Sequence, residues 1–373
     1  MEEKSYWLGL SLTPGIGTKR ALRLLNHFGD VRNIWGASRS DLLNAGLDET
    51  TTASLLQTRS TIKLDEVEAR IREVNAYFIC QRDDAYPQHL RNLPDAPLVL
   101  YVRGTLLKED DLAIAVIGTR SATAYGKDVT RMLVKDLAGA GVTIISGLAH
   151  GIDAMAHRTA LDVGGRTFAV MGNGIDSIYP REHKNLANDI LGAGALISEF
   201  PLKSQPEAHH FPQRNRLISG LSLGVIIVEA PEKSGALITA TFALEQGREV
   251  YGVPGNIFSA ASRGVNQLLQ EGAKLVTSAQ DILEDLVITR QQLTVREAIA
   301  EVVPLSETQI LLLRAFTAES CHMDDLIRAT GFTTPMAVGA LTTLELQGYV
   351  EQDRGGLYRI TQAAHILIRE LNH

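Results

Sequence analysis

The sequence predicts an α/β protein: a parallel sheet with helices on both faces, flanked by an N-terminal all-helical domain and a C-terminal domain of three helices and a hairpin. Two observations carry this. Between about Leu98 and Leu286, short apolar runs alternate with helical segments, and strand–helix–strand at this spacing makes a parallel sheet covered on both sides. Outside that stretch the alternation stops. Residues 1–75 keep helical spacing throughout, and from Leu305 three helical segments precede two short strands.

The elements follow in order. After the turn Pro14-Gly15-Ile16-Gly17, the residues Leu22, Leu24, Leu25 and Phe28 recur near helical spacing. Asp41-Leu42-Leu43 and Leu55-Leu56 continue the pattern, and Lys63 to Val74 is a charged amphipathic helix. This first domain is expected to span 1–80. Pro87, Pro94 and Pro97 then punctuate a stretch that reads as a linker. The central domain is expected over 81–290. Its strands are predicted at Leu112–Ile117, Val142–Ser146, Thr167–Met171, Ala195–Glu199, Gly224–Val228, Glu249–Val253 and Lys274–Thr277, with helices such as Ala154–Asp162 and Leu237–Gln246 between them. A helical connector, Ile288–Val303, ends at Pro304. In the third domain, 304–373, Leu305–Phe316, Met323–Ala329 and Thr334–Gln347 read as helices. Gly348-Tyr349-Val350 and Leu357–Ile360, joined through Asp353-Arg354-Gly355-Gly356, read as a hairpin. Three helices and a hairpin make a winged-helix pattern.

Composition narrows the function. The chain has 373 residues, 45% hydrophobic and 21% charged, which excludes a mainly disordered protein. No apolar run approaches the roughly 18 residues of a membrane span, so no membrane span is expected. The start, MEEKSYWLGL, is acidic and lacks the basic, apolar build of a signal peptide. Two distant cysteines, Cys80 and Cys321, form no disulfide framework, and a cytoplasmic location is expected. The net charge of −7 excludes a general basic coat but not a local basic groove. Aromatics at 5% argue against a long base-stacking platform.

The loops of the central region carry the chemistry. After the first, second, third and fifth of these strands come Gly118-Thr119-Arg120-Ser121, Ser146-Gly147-Leu148-Ala149-His150-Gly151-Ile152-Asp153, Gly172-Asn173-Gly174 and Glu229-Ala230-Pro231-Glu232-Lys233-Ser234-Gly235. Each leads into a helix. Such loops bare backbone N–H groups at a helix N-terminus, where anions bind, while Gly allows close approach and Ser or Thr adds donors. Taken alone, Gly172-Asn173-Gly174 reads as a tight strand-to-helix turn. Four such loops on one sheet edge point to phosphate. Arg120 and the segment Phe211-Pro212-Gln213-Arg214-Asn215-Arg216 add fixed charge, and Phe211 and Asn215 suit a base face and a base edge.

The spacing excludes common nucleotide sites. No Gly-x-x-x-x-Gly-Lys-Ser/Thr is present, and Gly118-Thr119-Arg120-Ser121-Ala122-Thr123 lacks the later glycines of a dinucleotide loop. No cofactor is expected. Asp153, Asp176 and Glu199 lie near strand ends, and structural roles are expected for them: a helix cap for Asp153 and an arginine partner for Glu199. No metal site is expected either, since His209-His210 are adjacent and His150 and His157 lie seven residues apart. No catalytic residue is assigned.

The central region resembles the DNA-processing protein A (DprA, or Smf) family. The resemblance rests on Val116–Arg120, Ser146–Asp153, Gly172–Gly174 with Tyr179-Pro180, Ser198–Pro201, Phe211–Ser222, Val228–Ala230, Ser234–Ala240 and Gly247–Val250. Eight ordered motifs over about half the chain are a specific match. The resemblance implies an extended Rossmann fold and a homodimer that binds single-stranded DNA, protects incoming strands and loads the recombinase RecA onto them in natural transformation. It implies that Arg120 and Arg214 are the main phosphate ligands. Gly118, Thr119, Ser121, Ser146, Gly147, Leu148, Asn173, Gly174, Ser234 and Gly235 would line the pocket, with Phe211, Asn215 and Arg216 beside them. The chain is expected not to be an enzyme. A nucleotide-processing enzyme with a similar core is the alternative, although the Pro-Gly-Gly-x-Gly-Thr-x-x-Glu signature of such hydrolases is absent.

The flanking domains say less. Thr13 to Ala21 reads either as the hairpin of a helix-hairpin-helix module, with Lys19, Arg20 and Arg23 supplying charge, or as a helical support domain of the sterile-alpha-motif kind. From Leu305 to Ile360, seven acids (Glu307, Glu319, Asp324, Asp325, Glu345, Glu351, Asp353) face four bases (Arg314, Arg328, Arg354, Arg359). Thr334–Gln347 holds no Lys or Arg, so a protein-contact role is expected there rather than duplex reading.

Overall fold

A computed structural model describes residues 3–286, 305–316, 320–352, 357–361 and 364. The expected connector at 288–303 and the expected turn at 353–356 lie outside them. The chain divides into two compact units, 1–283 and 284–373.

The first unit is built on nine strands: β1 (Tyr77–Cys80), β2 (Val99–Gly104), β3 (Ala113–Ile117), β4 (Thr143–Ser146), β5 (Thr167–Val170), β6 (Ala195–Ser198), β7 (Gly224–Ile227), β8 (Glu249–Gly252) and β9 (Lys274–Leu275). Their order is β1-β2-β6-β5-β4-β3-β7-β8-β9. Strands β3 to β9 are parallel, while β2 runs antiparallel to β6 and β1 antiparallel to β2. The apolar runs are continuous because the strands are covered on both faces. Phe168 and Val170 of β5 enter one core cluster, and Ala169 between them enters the other. The chain reverses its winding between the neighbours β3 and β7, which opens a crevice at their carboxyl ends.

Two strands were not expected from the sequence, β1 and β2. Both adjoin the proline-rich stretch, which is not a linker. It holds α7 (Gln88–Arg91), and Leu90, Leu93 and Ala96 are buried in the sheet's core. Gln81 Nε2 donates to the Ala96 carbonyl at 2.6 Å, and the Tyr86 hydroxyl donates to that of Pro97 at 2.7 Å. The prolines shape a packed segment, so their spacing misleads.

Six helices precede the sheet: α1 (Glu3–Ser11), α2 (Thr18–Phe28), α3 (Val31–Gly36), α4 (Arg39–Asn44), α5 (Glu49–Thr61) and α6 (Leu64–Glu73). Asp30, Ser38 and Asp48 cap α3, α4 and α5 through their side-chain oxygens. Trp7, Leu8 and Leu10 of α1 share one core with Phe78 and Tyr101 of the sheet. The charge expected on the hairpin is mostly engaged. Arg20 donates to the Gly15 carbonyl at 2.7 Å and pairs with Asp48 at 2.9 Å, and Arg23 reaches the Gly46 carbonyl.

The covering helices of the sheet are α8 (Ala124–Gly139), α9 (Ile152–Asp162), α10 (Lys184–Ala193), α11 (His210–Gly220), α12 (Gly235–Glu245) and α13 (Arg263–Gln270). The second unit contains α14 (Glu307–Arg314), β10 (Ser320–His322), α15 (Met323–Thr330), α16 (Thr334–Leu346), β11 (Val350–Gln352) and β12 (Leu357–Ile360). Its sheet, β10-β12-β11, gains one strand over the expected hairpin. Leu312, Leu313, Leu326, Leu341 and Leu344 fill its core. The first turn and a half of α16 exposes Met336 and Val338. Among the described residues, no helix is long and apolar enough to cross a membrane.

Candidate nucleic-acid interface

The carboxyl ends of β3, β4, β5 and β7 bring the glycine-rich loops to one edge, and backbone hydrogen bonds join them. Thr119 N donates to the Glu229 carbonyl at 2.7 Å, and Ile152 N donates to that of Thr119 at 3.2 Å. Gly151, at φ +77°, completes this close approach: a Cβ there would lie 2.3 Å from the Thr119 carbonyl oxygen. The buried Glu229 carboxylate accepts from Thr123 N at 2.9 Å and Thr123 Oγ1 at 2.6 Å, which fixes the start of α8.

Beneath this edge lies a buried arginine. Arg214, one turn into α11, is 5% exposed and donates to the carbonyls of Gly147 (2.9 Å) and Val170. Asp153 accepts from Gly147 N at 3.1 Å and Ala149 N at 3.3 Å. A Cβ on Gly147 would lie 2.8 Å from both side chains. Burial pulls the Arg214 guanidinium down to about 10, with Asp153 opposing the fall. Burial likewise raises Asp153, with Arg214 opposing the rise. The expected cap at Asp153 is therefore replaced by another role. Asp153 holds the β4 loop and faces Arg214, while the N-cap of α9 is Gly151 with no side-chain cap.

At the surface stands a cluster around Phe211, the second residue of α11. The guanidinium of Arg120 lies 5.8 Å from its ring centroid and that of Arg214 lies 5.9 Å away. The exposed Tyr179 ring lies 5.6 Å away at 42°. Gly172 sits under the ring, where a Cβ would lie 2.9 Å from it. Arg120 is exposed and has no ion-pair partner among the described residues.

The remaining sequence-predicted residues divide. Ser121 is exposed, Gly118 and Thr119 are half-exposed, and Gly174 and Leu148 are buried, the latter at φ 57°. Asn215 Nδ2 donates to the Gly235 carbonyl at 3.2 Å, and Ser234 caps α12 by accepting from Ala236 N. Ser146 and Asn173 face inward: the Ser146 hydroxyl donates to Val116 O, and the Asn173 carboxamide donates to Ser177 O. Arg216 pairs with Glu199 and reaches Asp95, so its charge is spent within the fold. Glu199 thus has the arginine partner expected of it. Asp176 accepts from Lys203 N at 2.9 Å. Sequence reading missed Tyr179 as a site residue. It stood only as part of a motif, and nothing in its spacing announces an exposed ring beside Phe211.

Residues 77–287 match the family described as DNA recombination-mediator protein A, and residues 296–356 match the DprA winged helix domain. The chain belongs to the DprA/Smf family. It is 40% identical to Protein Smf of Escherichia coli over 79% of this chain and 80% of that one. It is 46% identical to DNA processing protein DprA of Bacillus subtilis over 60% of this chain and 76% of that one. Among solved structures, DNA processing protein A of Streptococcus pneumoniae matches with a TM-score of 0.66 and 34% identity, covering 76% of this chain and 98% of the other. DNA processing protein A of Helicobacter pylori, described for its single-stranded DNA binding mode, matches with a TM-score of 0.52 and 31% identity, covering 57% of this chain and 96% of the other. The family's mostly parallel sheet, N-terminal helices and winged helix are all present in this chain.

Proposed function

We propose that this protein binds single-stranded DNA along the carboxyl edge of its sheet and hands the strand to a RecA-type recombinase, acting as a homodimer and without catalysis of its own. The observation that carries this reading is the Arg120–Phe211–Tyr179 cluster over buried Arg214. An exposed guanidinium and two rings offer a phosphate partner and base faces together, and only an unpaired strand presents its bases so. The single-strand binding described for the Helicobacter pylori relative supports it. The strand-end carboxylates Asp153, Asp176 and Glu199 are occupied in holding the fold, which disfavours the nucleotide-hydrolase alternative. Protection of incoming strands in transformation and a cytoplasmic setting follow from the same reading.

Arg120→Ala tests the site. Losing one charge-assisted contact should weaken oligo-dT binding by about 10–100-fold and flatten the salt dependence by about 0.7 in the log–log slope. Fluorescence anisotropy across a salt series reads both quantities, and unchanged binding would refute the assignment.

The dimer reading rests on apolar side chains left in water. Ile257 and Phe258 are 73% and 85% exposed, and Ile238 and Leu244 of α12 are exposed as well. Covering such residues with a second copy removes them from solvent. The double variant Ile257→Asp/Phe258→Asp should weaken self-association by about 100-fold in sedimentation equilibrium. A wild-type chain that stays monomeric at micromolar concentration would contradict the dimer. For the winged helix we propose a protein contact, since α16 exposes Met336 and Val338 and carries no Lys or Arg to neutralise phosphate.

A further inference from the structure

At the start of α11 the chain turns tightly and gathers three metal-ligating side chains. Glu207, His209 and His210 each offer one donor atom within 4.8 Å of the others. Glu207 N donates to Gln205 O at 2.9 Å and His210 N donates to Glu207 O at 3.0 Å, so the backbone sets the turn. His209 Nδ1 lies 3.5 Å from the Glu207 carboxylate. The His209 and His210 ring centroids are 4.4 Å apart, edge to face.

His210 is held in the manner of a ligand. Its ring lies against Phe200, with centroids 4.1 Å apart at 30°. Its Nδ1 is 3.1 Å from the Gln205 carbonyl oxygen. A ring nitrogen there carries the proton and donates, which leaves the Nε2 lone pair for a metal. Metal-binding histidines are commonly fixed this way, through a carbonyl that sets tautomer and ring orientation. Sequence spacing conceals the cluster, because two adjacent histidines resemble no zinc pattern and Glu207 joins them only through the turn.

We propose that Glu207, His209 and His210 form a binding site for a divalent transition metal of the zinc class. Two imidazoles and a carboxylate suit zinc, whereas calcium and magnesium want oxygen throughout. Bonds of about 2.0–2.1 Å place tetrahedral donors about 3.3 Å apart. The exposed Glu207 and His209 side chains close the remaining distance by rotation. Three protein ligands leave a fourth position for water or a phosphate oxygen. Phe211 follows His210 directly, so the ion adds positive charge where α11 enters the strand path. That consequence rests on the single-strand reading above, while the metal site itself does not.

The test uses the untagged full chain with cobalt(II) as the spectroscopic probe and zinc as competitor. One equivalent of cobalt should give the visible absorption of a tetrahedral site and be displaced by zinc. The signal should vanish in His209→Ala/His210→Ala and weaken about tenfold or more in Glu207→Gln. No stoichiometric signal, or one undiminished in the double variant, overturns the site. Oligo-dT binding is then compared with zinc and with a chelator. Zinc should tighten it severalfold in the wild type and leave the double variant unchanged. Equal effects in both proteins overturn the placement beside the strand. Absence of oligo-dT binding in every condition would count against the single-strand reading and leave the cobalt signal intact.

Discussion

Replacing Arg214 by alanine is expected to cost about 3–5 kcal/mol of folding stability, because it leaves the buried Asp153 carboxylate without the nearby positive charge that opposes its burial, and two buried carbonyls without a donor. Asp153 would lose the opposing charge, and the Gly147 and Val170 carbonyls would lose their donor. Single-strand binding should fall with it, since the β4 loop and Phe211 are both placed by this side chain. Urea unfolding reads the first effect and anisotropy the second. Arg120→Ala provides the contrast, with stability within about 0.5 kcal/mol of wild type and binding reduced. These outcomes would separate the two arginines into a support and a surface contact. A stable Arg214→Ala protein would mean that the guanidinium does not hold the loop.

The second large effect concerns Glu199, which burial pushes up to about 7 against the pull of Arg216. In the unfolded chain this carboxyl titrates at the ordinary glutamate value of 4.5. Between those values the folded state holds the extra proton, so stability falls as pH rises through the window. The full effect is about 3 kcal/mol at 1.36 kcal/mol per pH unit. Glu199→Gln cannot titrate. Relative to wild type it should therefore gain about 3 kcal/mol between pH 4.5 and pH 8, read from urea midpoints at each pH. A difference that stays constant across this range would show that the pull of Arg216 outweighs burial and that the Glu199 pKa is not raised.

Much of the fold could be read from the sequence, for identifiable reasons. The inner parallel strands were legible because strands buried on both faces must be apolar throughout, as in Ala113–Ile117 and Gly224–Ile227, and the exposed edge strand β9 was read from its short run alone. Strands β1 and β2 were hidden because the prolines beside them look like a linker, and only tertiary packing of Leu90, Leu93 and Ala96 shows otherwise. The candidate site was legible as a set of loops but not in its geometry. The resemblance put Arg120 and Arg214 first with Arg216 beside them, and burial separates all three. Arg120 stands in water, Arg214 lies under the β4 loop and Arg216 is tied to Glu199. Tyr179 became visible only when the β5 loop and α11 were brought together.

The most direct test of the account is ultraviolet crosslinking of 5-iodouracil-substituted oligo-dT to the full chain, with the attached residues identified by mass spectrometry. The account predicts crosslinks at Phe211 and Tyr179, reduced in Arg120→Ala. Crosslinks confined to the helices of residues 3–73 or to the winged helix, with none at the sheet's carboxyl edge, would contradict it.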